Sequence, residues 1–297
     1  MLEILKVLNE HGAPVLQQSK RPPSVYLDTC ALRGIAQHYD RCERFVRAIR
    51  EKDGTLVLNA LSLGELANQD HAYAVAIAEM IDRVMPRIYF QEARQFVVDK
   101  AEKEFKPGDF SNGLPDADKV LLPLVAALTP PFGGPFSMTV AYRSLPVANR
   151  LVQLGAKVRE LGVRVLTEIE RQHREHGNSK EALQYFNPRP NRVQPIFATR
   201  ALYRALVRRY FADPNRKQDP NDGLDFMHAL VPSAYCTFVV LDCGWSNLVK
   251  EATNLIRNAL IKAPIARPFG SSEAELNAFL DALAVFEPVV QRTSNGA

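Results

Sequence analysis

Short apolar runs that alternate with amphipathic helical stretches are the feature that most constrains the fold of this 297-residue chain. Runs at 24–28 and 55–59, and a weaker one at 87–90, have the length and composition of buried strands. Helical stretches are predicted between them, at 32–52 and from Ser62 onward. The order βαβα favours parallel strands joined by right-handed crossovers. The sequence therefore predicts an α/β fold with an open parallel sheet flanked by helices.

The middle of the chain has a different, mainly helical pattern. It predicts helices separated by loops rich in Pro and Gly, near 92–104, 116–128, 140–175 and 196–211. The βα pattern then returns, with a strand at 237–242 and helices at 222–235, 247–261 and 272–286. We therefore predict one domain over 1–297, made of a split core (about 24–90 and 218–262), a helical insertion or cap (91–217) and a C-terminal helix and tail (263–297).

Three local expectations accompany this outline. Residues 1–20 are expected to form a short helix and a loop. The helix at 32–52 is expected to place its apolar residues roughly on one face, including Tyr39. Pro232 is expected to kink the helix at 222–235 or to end it early, because proline removes a helical hydrogen bond.

Composition excludes several classes of protein. No apolar stretch approaches the ~20 residues of a membrane span, and the N-terminus is too charged for a secretory signal. The cysteines Cys30, Cys42, Cys236 and Cys243 form no CxxC pair, which argues against a zinc site. We expect a cytoplasmic protein with reduced thiols and no membrane partner.

Four acidic residues follow the predicted strands or begin the predicted helices. Asp28 ends the first strand, and Asp242 ends the run at 237–241. Glu65 lies just after the second strand, and Asp225 begins a helix. The carboxyl ends of parallel strands form the edge where open α/β sheets bind ligands. Clustered carboxylates favour a hard cation between them, so this pattern predicts a Mg²⁺ or Mn²⁺ site.

Each of these acids also has a structural role open to it, which remains an alternative. Asp28 suits a helix N-cap, and the Ser-Leu-Gly-Glu segment at 62–65 matches a capping box. Asp222 and Asp225 suit the first turn of a helix, and Asp242 suits a turn. Capping does not exclude metal binding, because a carboxylate has several acceptor positions.

Basic residues are concentrated between Arg189 and Lys217, where eight of them accompany a single acid, Asp213. Such a segment suits contact with phosphates. The arginines of the predicted helix are the candidate nucleic-acid contacts: Arg200, Arg204, Arg208 and Arg209. A solvated helix face balanced by acids elsewhere is the other interpretation.

The acidic segments together resemble the PIN domain, a family of metal-dependent nucleases with an open parallel sheet. The resemblance covers residues 24–90 and 218–260. The segments that carry it are Val25-Tyr26-Leu27-Asp28-Thr29-Cys30, Leu61-Ser62-Leu63-Gly64-Glu65-Leu66, Asn221-Asp222-Gly223-Leu224-Asp225-Phe226-Met227-His228-Ala229-Leu230 and Phe238-Val239-Val240-Leu241-Asp242. The insertion at 91–217 is longer than the corresponding part of a minimal PIN domain.

The resemblance implies a PIN-like fold and hydrolysis of phosphodiester bonds with Mg²⁺ or Mn²⁺. It implies ion-holding roles for Asp28, Glu65, Asp225 and Asp242, with Asp222 as an alternative or supporting acid. Thr29 and His228 are the residues expected to support these ligands.

The predicted function is that of an endoribonuclease, with RNA favoured over DNA as the partner. A DNA nuclease, a non-catalytic scaffold that binds RNA or protein, and a small-molecule phosphohydrolase remain alternatives. The last lacks the second Asp of a DxDxT loop after Asp28. A homodimer and a protein inhibitor are further partners that the resemblance leaves open.

Overall fold

The computed structural model describes most of the chain. The described residues are 1–8, 14–67, 71–105, 114–119, 121–122, 125, 136–143, 145–176, 198–212, 221–259 and 264–287. The strands are β1 (Leu2–Leu8), β2 (Pro14–Gln18), β3 (Ser24–Leu27), β4 (Thr55–Asn59), β5 (Ile88–Gln91), β6 (Phe238–Leu241) and β7 (Arg267–Gly270). The helices are α1 (Thr29–Ala36), α2 (Tyr39–Glu51), α3 (Ala60–Leu66), α4 (His71–Val84), α5 (Gln95–Glu104), α6 (Met138–Arg143), α7 (Leu145–His176), α8 (Ala198–Ala212), α9 (Asp222–Tyr235), α10 (Cys243–Asn258) and α11 (Glu273–Ala284).

Five parallel strands form the central sheet, in the order β5-β4-β3-β6-β7. The predicted α/β class and parallel sheet are thus confirmed. From β3 the chain first adds β4 and β5 on one side. After the helical stretch it adds β6 and β7 on the other side. The switch point of this order lies between β3 and β6, where Tyr26 is opposite Val239. Ligands of doubly wound sheets bind at this place, beyond the carboxyl ends of the strands.

Each strand sends alternate side chains to opposite faces of the sheet, and each face carries a layer of helices. Val25 and Leu27 pack with α1, α2, α4 and α11 in one core. Tyr26 packs with α8, α9 and α10 in the other. Both cores are buried, because a parallel sheet covered on two sides has no wet face.

The long helix α7 lies directly against α3 and α9. The contact depends on two glycines: a Cβ atom on Gly223 would lie 2.0 Å from the carbonyl oxygen of Gly162. A Cβ atom on Gly162 would in turn lie 2.6 Å from Cγ of Leu224. The helix from the middle of the chain is therefore seated on the first turn of α9.

Among the described residues, no helix is long and apolar enough to cross a membrane.

The N-terminal prediction was wrong. Residues predicted as a helix and loop form the antiparallel hairpin β1–β2 instead, with Leu2 opposite Gln18. The hairpin has tertiary partners that a local pattern does not show: Leu2 N–H donates to the Pro86 carbonyl at 2.7 Å, and Phe90 N–H donates to Oε1 of Gln18 at 2.8 Å.

The predicted helix at 32–52 is two helices, α1 and α2, which meet at Gln37 and His38. The break turns Tyr39 outward, so this residue is 75% exposed and not on the apolar face. Pro232 did not end α9 early, since the helix continues to Tyr235 and Cys236 N–H donates to the Pro232 carbonyl.

Two further elements differ from the prediction near the C-terminus. Helix α10 begins at Cys243, four residues before the predicted start, because Asp242 provides its N-cap. The strand β7 was not predicted, since Arg-Pro-Phe-Gly has the composition of a turn. It lies at the edge of the sheet, which is where a proline is tolerated within a strand. Of the predicted helix at 116–128, residues 121, 122 and 125 are helical and residues 116–119 are not, whereas 120, 123, 124 and 126–128 lie outside the described residues.

Candidate active site

Two of the predicted acids, Asp28 and Asp242, cap the helices that leave the switch point. Oδ1 of Asp28 accepts a hydrogen bond from Ala31 N–H at 2.7 Å. Oδ1 of Asp242 accepts from the N–H groups of Gly244 and Trp245, at 2.7 and 3.0 Å. Within the described residues, Oδ2 of neither acid receives a hydrogen bond. Each carboxylate therefore stabilises a helix with one oxygen and leaves the other for a ligand.

Glu65 is held by side chains and does not form the capping box that its sequence suggests. Asn59 caps α3 instead, because its Oδ1 accepts from Ser62 N–H at 2.9 Å. Ser62 is thus already inside the helix. The Glu65 carboxylate is left to accept a hydrogen bond from the Thr29 hydroxyl and to lie 3.3 Å from Nε2 of His228.

His228 is buried between Glu65 and a polar network beneath the site. Its Nδ1 forms a hydrogen bond with the Tyr26 hydroxyl. Tyr26 in turn lies 3.2 Å from Oγ of Ser62 and accepts from Nδ2 of Asn59 at 3.2 Å. This network fixes the imidazole ring toward Glu65, although their 3.3 Å pair is not aligned as a hydrogen bond.

Asp225 completes the group from the first turn of α9, half-buried and without a side-chain hydrogen bond from the described residues. Burial, followed by the charges of Asp242, Glu65 and Asp28, raises the pKa of Asp225 to about 7 against the opposing effect of His228. The four predicted acids are therefore near enough to repel one another.

Neighbouring groups also shift the pKa values of Asp28, Glu65 and His228. Burial, then the charges of Asp242 and Glu65, raise the pKa of Asp28 to about 6, although Ala31 N–H and His228 lower it. Burial would raise the pKa of Glu65, but His228 and Thr29 lower it below its ordinary value. Burial opposes the charge of His228, yet Glu65, Asp28 and Asp225 raise its pKa. The carboxylates around His228 thus favour its charged form.

Asp222 belongs to a different set of contacts. Its Oδ2 accepts a hydrogen bond from the Tyr210 hydroxyl at 2.7 Å, against α8. The charges that shift the pKa of Asp225 are instead those of Asp242, His228, Glu65 and Asp28. Of the two acids left open by the sequence, Asp225 is the one that the fold brings to Asp28 and Asp242.

The predicted basic residues are spread along α8. Arg200 is exposed, but it lies about 15 Å along the helix from Tyr210, the residue that contacts Asp222. Nε of Arg209 lies 3.5 Å from Oε2 of Glu251. Arg204 and Arg208 are half-buried. The remaining basic positions of this segment, Arg189, Arg192, Arg216 and Lys217, lie outside the described residues.

Three residues beneath the site, Tyr26, Asn59 and Ser62, were not predicted as part of it. Tyr26 is a large side chain in the middle of a short strand, and its pattern indicates only burial. Asn59 offers the one usable signal, because an Asn at the end of a strand and the start of a helix is a favoured N-cap.

The donor set consists of hard carboxylate oxygens, which suit Mg²⁺ or Mn²⁺ and not a soft ion. The unbonded oxygens of Asp28 and Asp242 and the raised pKa of Asp225 fit such a cation. Across the described ranges, however, no group of three or more His, Cys, Asp or Glu side chains is arranged to hold a metal ion. Mg²⁺ often takes only one or two protein carboxylates and keeps several waters, so the residues fit a largely hydrated ion.

No family model, no curated protein and no solved structure matches the chain.

Proposed function

We propose that this protein is a PIN-like endoribonuclease that hydrolyses phosphodiester bonds with Mg²⁺ or Mn²⁺. One observation carries the proposal: Asp28, Glu65, Asp225 and Asp242 converge at the carboxyl edge of a parallel sheet, at its switch point. Carboxylates at this edge suit chemistry on a ligand bound in the crevice. A bound cation would relieve the mutual repulsion of these carboxylates. Cation binding therefore accounts for their clustering, which helix capping alone does not.

Asp28, Asp242 and Asp225 are the residues that would hold the ion, directly or through water, and Glu65 would complete the set. A divalent ion bound there would activate water for attack and stabilise negative charge on the phosphate. The chain itself contributes the positions of the acids. The backbone fixes Asp28 and Asp242, whereas Thr29 and His228 orient Glu65.

RNA is the proposed substrate, with basic residues on and around α8 as its phosphate contacts. Arg200 on α8 and the basic segments that flank this helix would hold the backbone of a strand. Arg200 is exposed, and the flanking segments add positive charge in the sequence. DNA is the alternative substrate, and single strands of each kind, matched in sequence, separate the two.

The test compares the purified wild-type chain with Asp28→Asn. Asparagine is also a favoured N-cap, so the substitution should keep α1 folded while it removes the charged oxygen. We expect the wild type to cut RNA only when Mg²⁺ or Mn²⁺ is added, and Asp28→Asn to lose at least about 100-fold in rate, the loss expected when a main electrostatic group is removed.

Asp281→Asn is the matched control, because it makes the same chemical change at an exposed ion pair with Arg44 on α2. It should cut RNA at the wild-type rate. Undiminished cutting by Asp28→Asn would overturn the proposed site, and cutting that persists in EDTA would overturn the metal.

One observation favours a second candidate function, a non-catalytic scaffold that binds RNA or protein. No group of three ligand side chains among the described residues is arranged to hold an ion, and His228 can balance part of the acidic charge. Tight RNA binding that is unaffected by Asp28→Asn, without cleavage under any divalent ion, would favour the scaffold.

A further inference from the structure

Tyr73 of α4 and Arg33 of α1 form an exposed pair on the surface of the protein. The Arg33 guanidinium carbon lies 5.7 Å from the centroid of the Tyr73 ring, within the range of a cation–π interaction. Arg33 is exposed, and 37% of Tyr73 is accessible to solvent. Among the described residues, no acid forms an ion pair with Arg33. The pair therefore offers a cation and an aromatic ring side by side.

The topology places the starts of both helices at the carboxyl edge of the sheet, where the predicted acids lie. Helix α1 begins directly after β3, and α4 leads back toward the start of β5. Connections between parallel strands must return the chain from the end of one strand to the start of the next. Both helices therefore begin at the carboxyl edge, and Tyr73 is in the first turn of α4.

The position of Arg33 on α1 brings its charge close to the carboxylate site. It follows Thr29 by four residues, on the same face of the helix and about 6 Å further along it. Long side chains on a helix lean back toward its N-terminus, so the stem of Arg33 is directed toward Thr29. The Thr29 hydroxyl donates a hydrogen bond to Glu65. A phosphate bound by Arg33 would therefore lie beside the carboxylates.

We propose that Tyr73 and Arg33 form a subsite for one nucleotide of a single strand, in which the ring stacks on the base and Arg33 binds a phosphate. Single-strand binders combine aromatic stacking with basic groups in this way. A duplex keeps its bases stacked on one another, so it offers no free base to the ring. The chemistry suits RNA and DNA alike, and RNA is the strand that the proposed function requires.

The role of the subsite in cleavage rests on the proposed function, whereas binding of the strand does not. The experiment therefore measures binding in EDTA, by fluorescence anisotropy of labelled strands at several salt concentrations. The strands are an adenosine hexanucleotide, the same sequence as DNA, a hexamer of abasic spacers and an RNA duplex. The wild type is compared with Tyr73→Leu, Tyr73→Phe and Arg33→Gln. Cleavage of the RNA strand with Mg²⁺ or Mn²⁺ is measured separately.

The chain offers a matched control for each residue. Arg267→Gln makes the same change at another exposed arginine over an aromatic ring, 5.0 Å from the centroid of Phe269. This arginine begins β7, so it lies at the amino edge of the sheet, away from the carboxylates. Tyr39→Leu removes a ring that is 75% exposed at the start of α2. Both controls should bind every strand as the wild type does.

We expect Tyr73→Leu to bind the RNA strand at least about fivefold more weakly, the lower end for loss of one stacked base. It should bind the abasic hexamer like the wild type, and Tyr73→Phe should bind both like the wild type. Arg33→Gln should weaken binding of both strands. It should also reduce the slope of log K against log salt by about 0.7, the value for one phosphate of a single strand.

Several results would overturn the subsite: no binding of the RNA strand by the wild type, undiminished binding by Tyr73→Leu, or an equal loss with and without bases. Equally tight binding of the duplex would also overturn it, and tighter binding of the DNA strand would overturn RNA as its occupant. The expected losses without any cleavage by the wild type would keep the subsite and sink the nuclease. Cleavage with undiminished binding in both variants would keep the nuclease and sink the subsite.

Discussion

The strand ends and the helix faces of the carboxylate site hold their acids in different ways. At the ends of β3 and β6, Asp28 and Asp242 each accept backbone N–H groups and begin a helix. On the helices, Glu65 depends on the side chains of Thr29 and His228, and Asp225 has no hydrogen-bonding partner among the described residues. The first pair thus serves folding as well as the proposed chemistry, whereas Asp225 accepts no side-chain hydrogen bond from the described residues.

The largest effect that sharpens this comparison is on activity. Asp225→Asn should reduce metal-dependent RNA cleavage at least about 100-fold, as expected for loss of a charged group at the reacting centre. Asp222→Asn, one turn earlier on the same helix, should stay within a fewfold of wild type because its partner is Tyr210. Single-turnover cleavage rates at saturating Mg²⁺ measure both. The reverse ranking would move the site from Asp225 to Asp222.

The second effect is on the stability of the metal-free protein, and it depends on pH. A folded-state pKa of about 7 for Asp225, against an ordinary value of 3.8, means that the folded chain binds this proton more tightly than the unfolded chain. The contribution of Asp225 to the stability of the wild type therefore falls as the pH rises from about 4 to about 7. Asparagine does not titrate, so the stabilisation by Asp225→Asn should be absent near pH 4 and complete above pH 7.

Urea denaturation in EDTA, at several pH values, measures this difference. The full effect should be on the order of 1–2 kcal/mol, after allowance for the half-exposure of the side chain. Added Mg²⁺ should reduce the advantage of the variant, because an ion that binds only the folded wild type stabilises it. A gain that is constant from pH 4 to pH 8 would show that crowding of the carboxylates is not its cause.

The sequence predicted where the acids lie in the fold better than it predicted which groups hold them. Asp28 and Asp242 were found because each follows an apolar run, and the order of the strands then brings both to one edge. The segment at 62–65 was misleading. Its S-x-x-E pattern predicts Ser62 as the N-cap, but the N-cap of this helix is Asn59, about one turn earlier. Tyr26 and the Gly162–Gly223 contact of α7 with α9 depend on pairings across more than 60 residues, which local periodicity does not encode.

The smallest effect separates the two ways of holding an acid. At Asp28, alanine removes the N-cap and asparagine keeps it, so Asp28→Ala should be less stable than Asp28→Asn by about 1 kcal/mol. At Asp225, no hydrogen bond is lost, so Asp225→Ala and Asp225→Asn should differ by no more than the few tenths expected at a position without such features. Denaturation in EDTA at pH 7 measures both pairs.

Both alanine variants should nevertheless be inactive, because each lacks its carboxylate. Equal stability differences at the two positions would mean that Asp28 is held like Asp225, and the contrast between strand end and helix face would fail. A large difference at Asp28 with full activity in Asp28→Asn would instead leave this acid a cap alone.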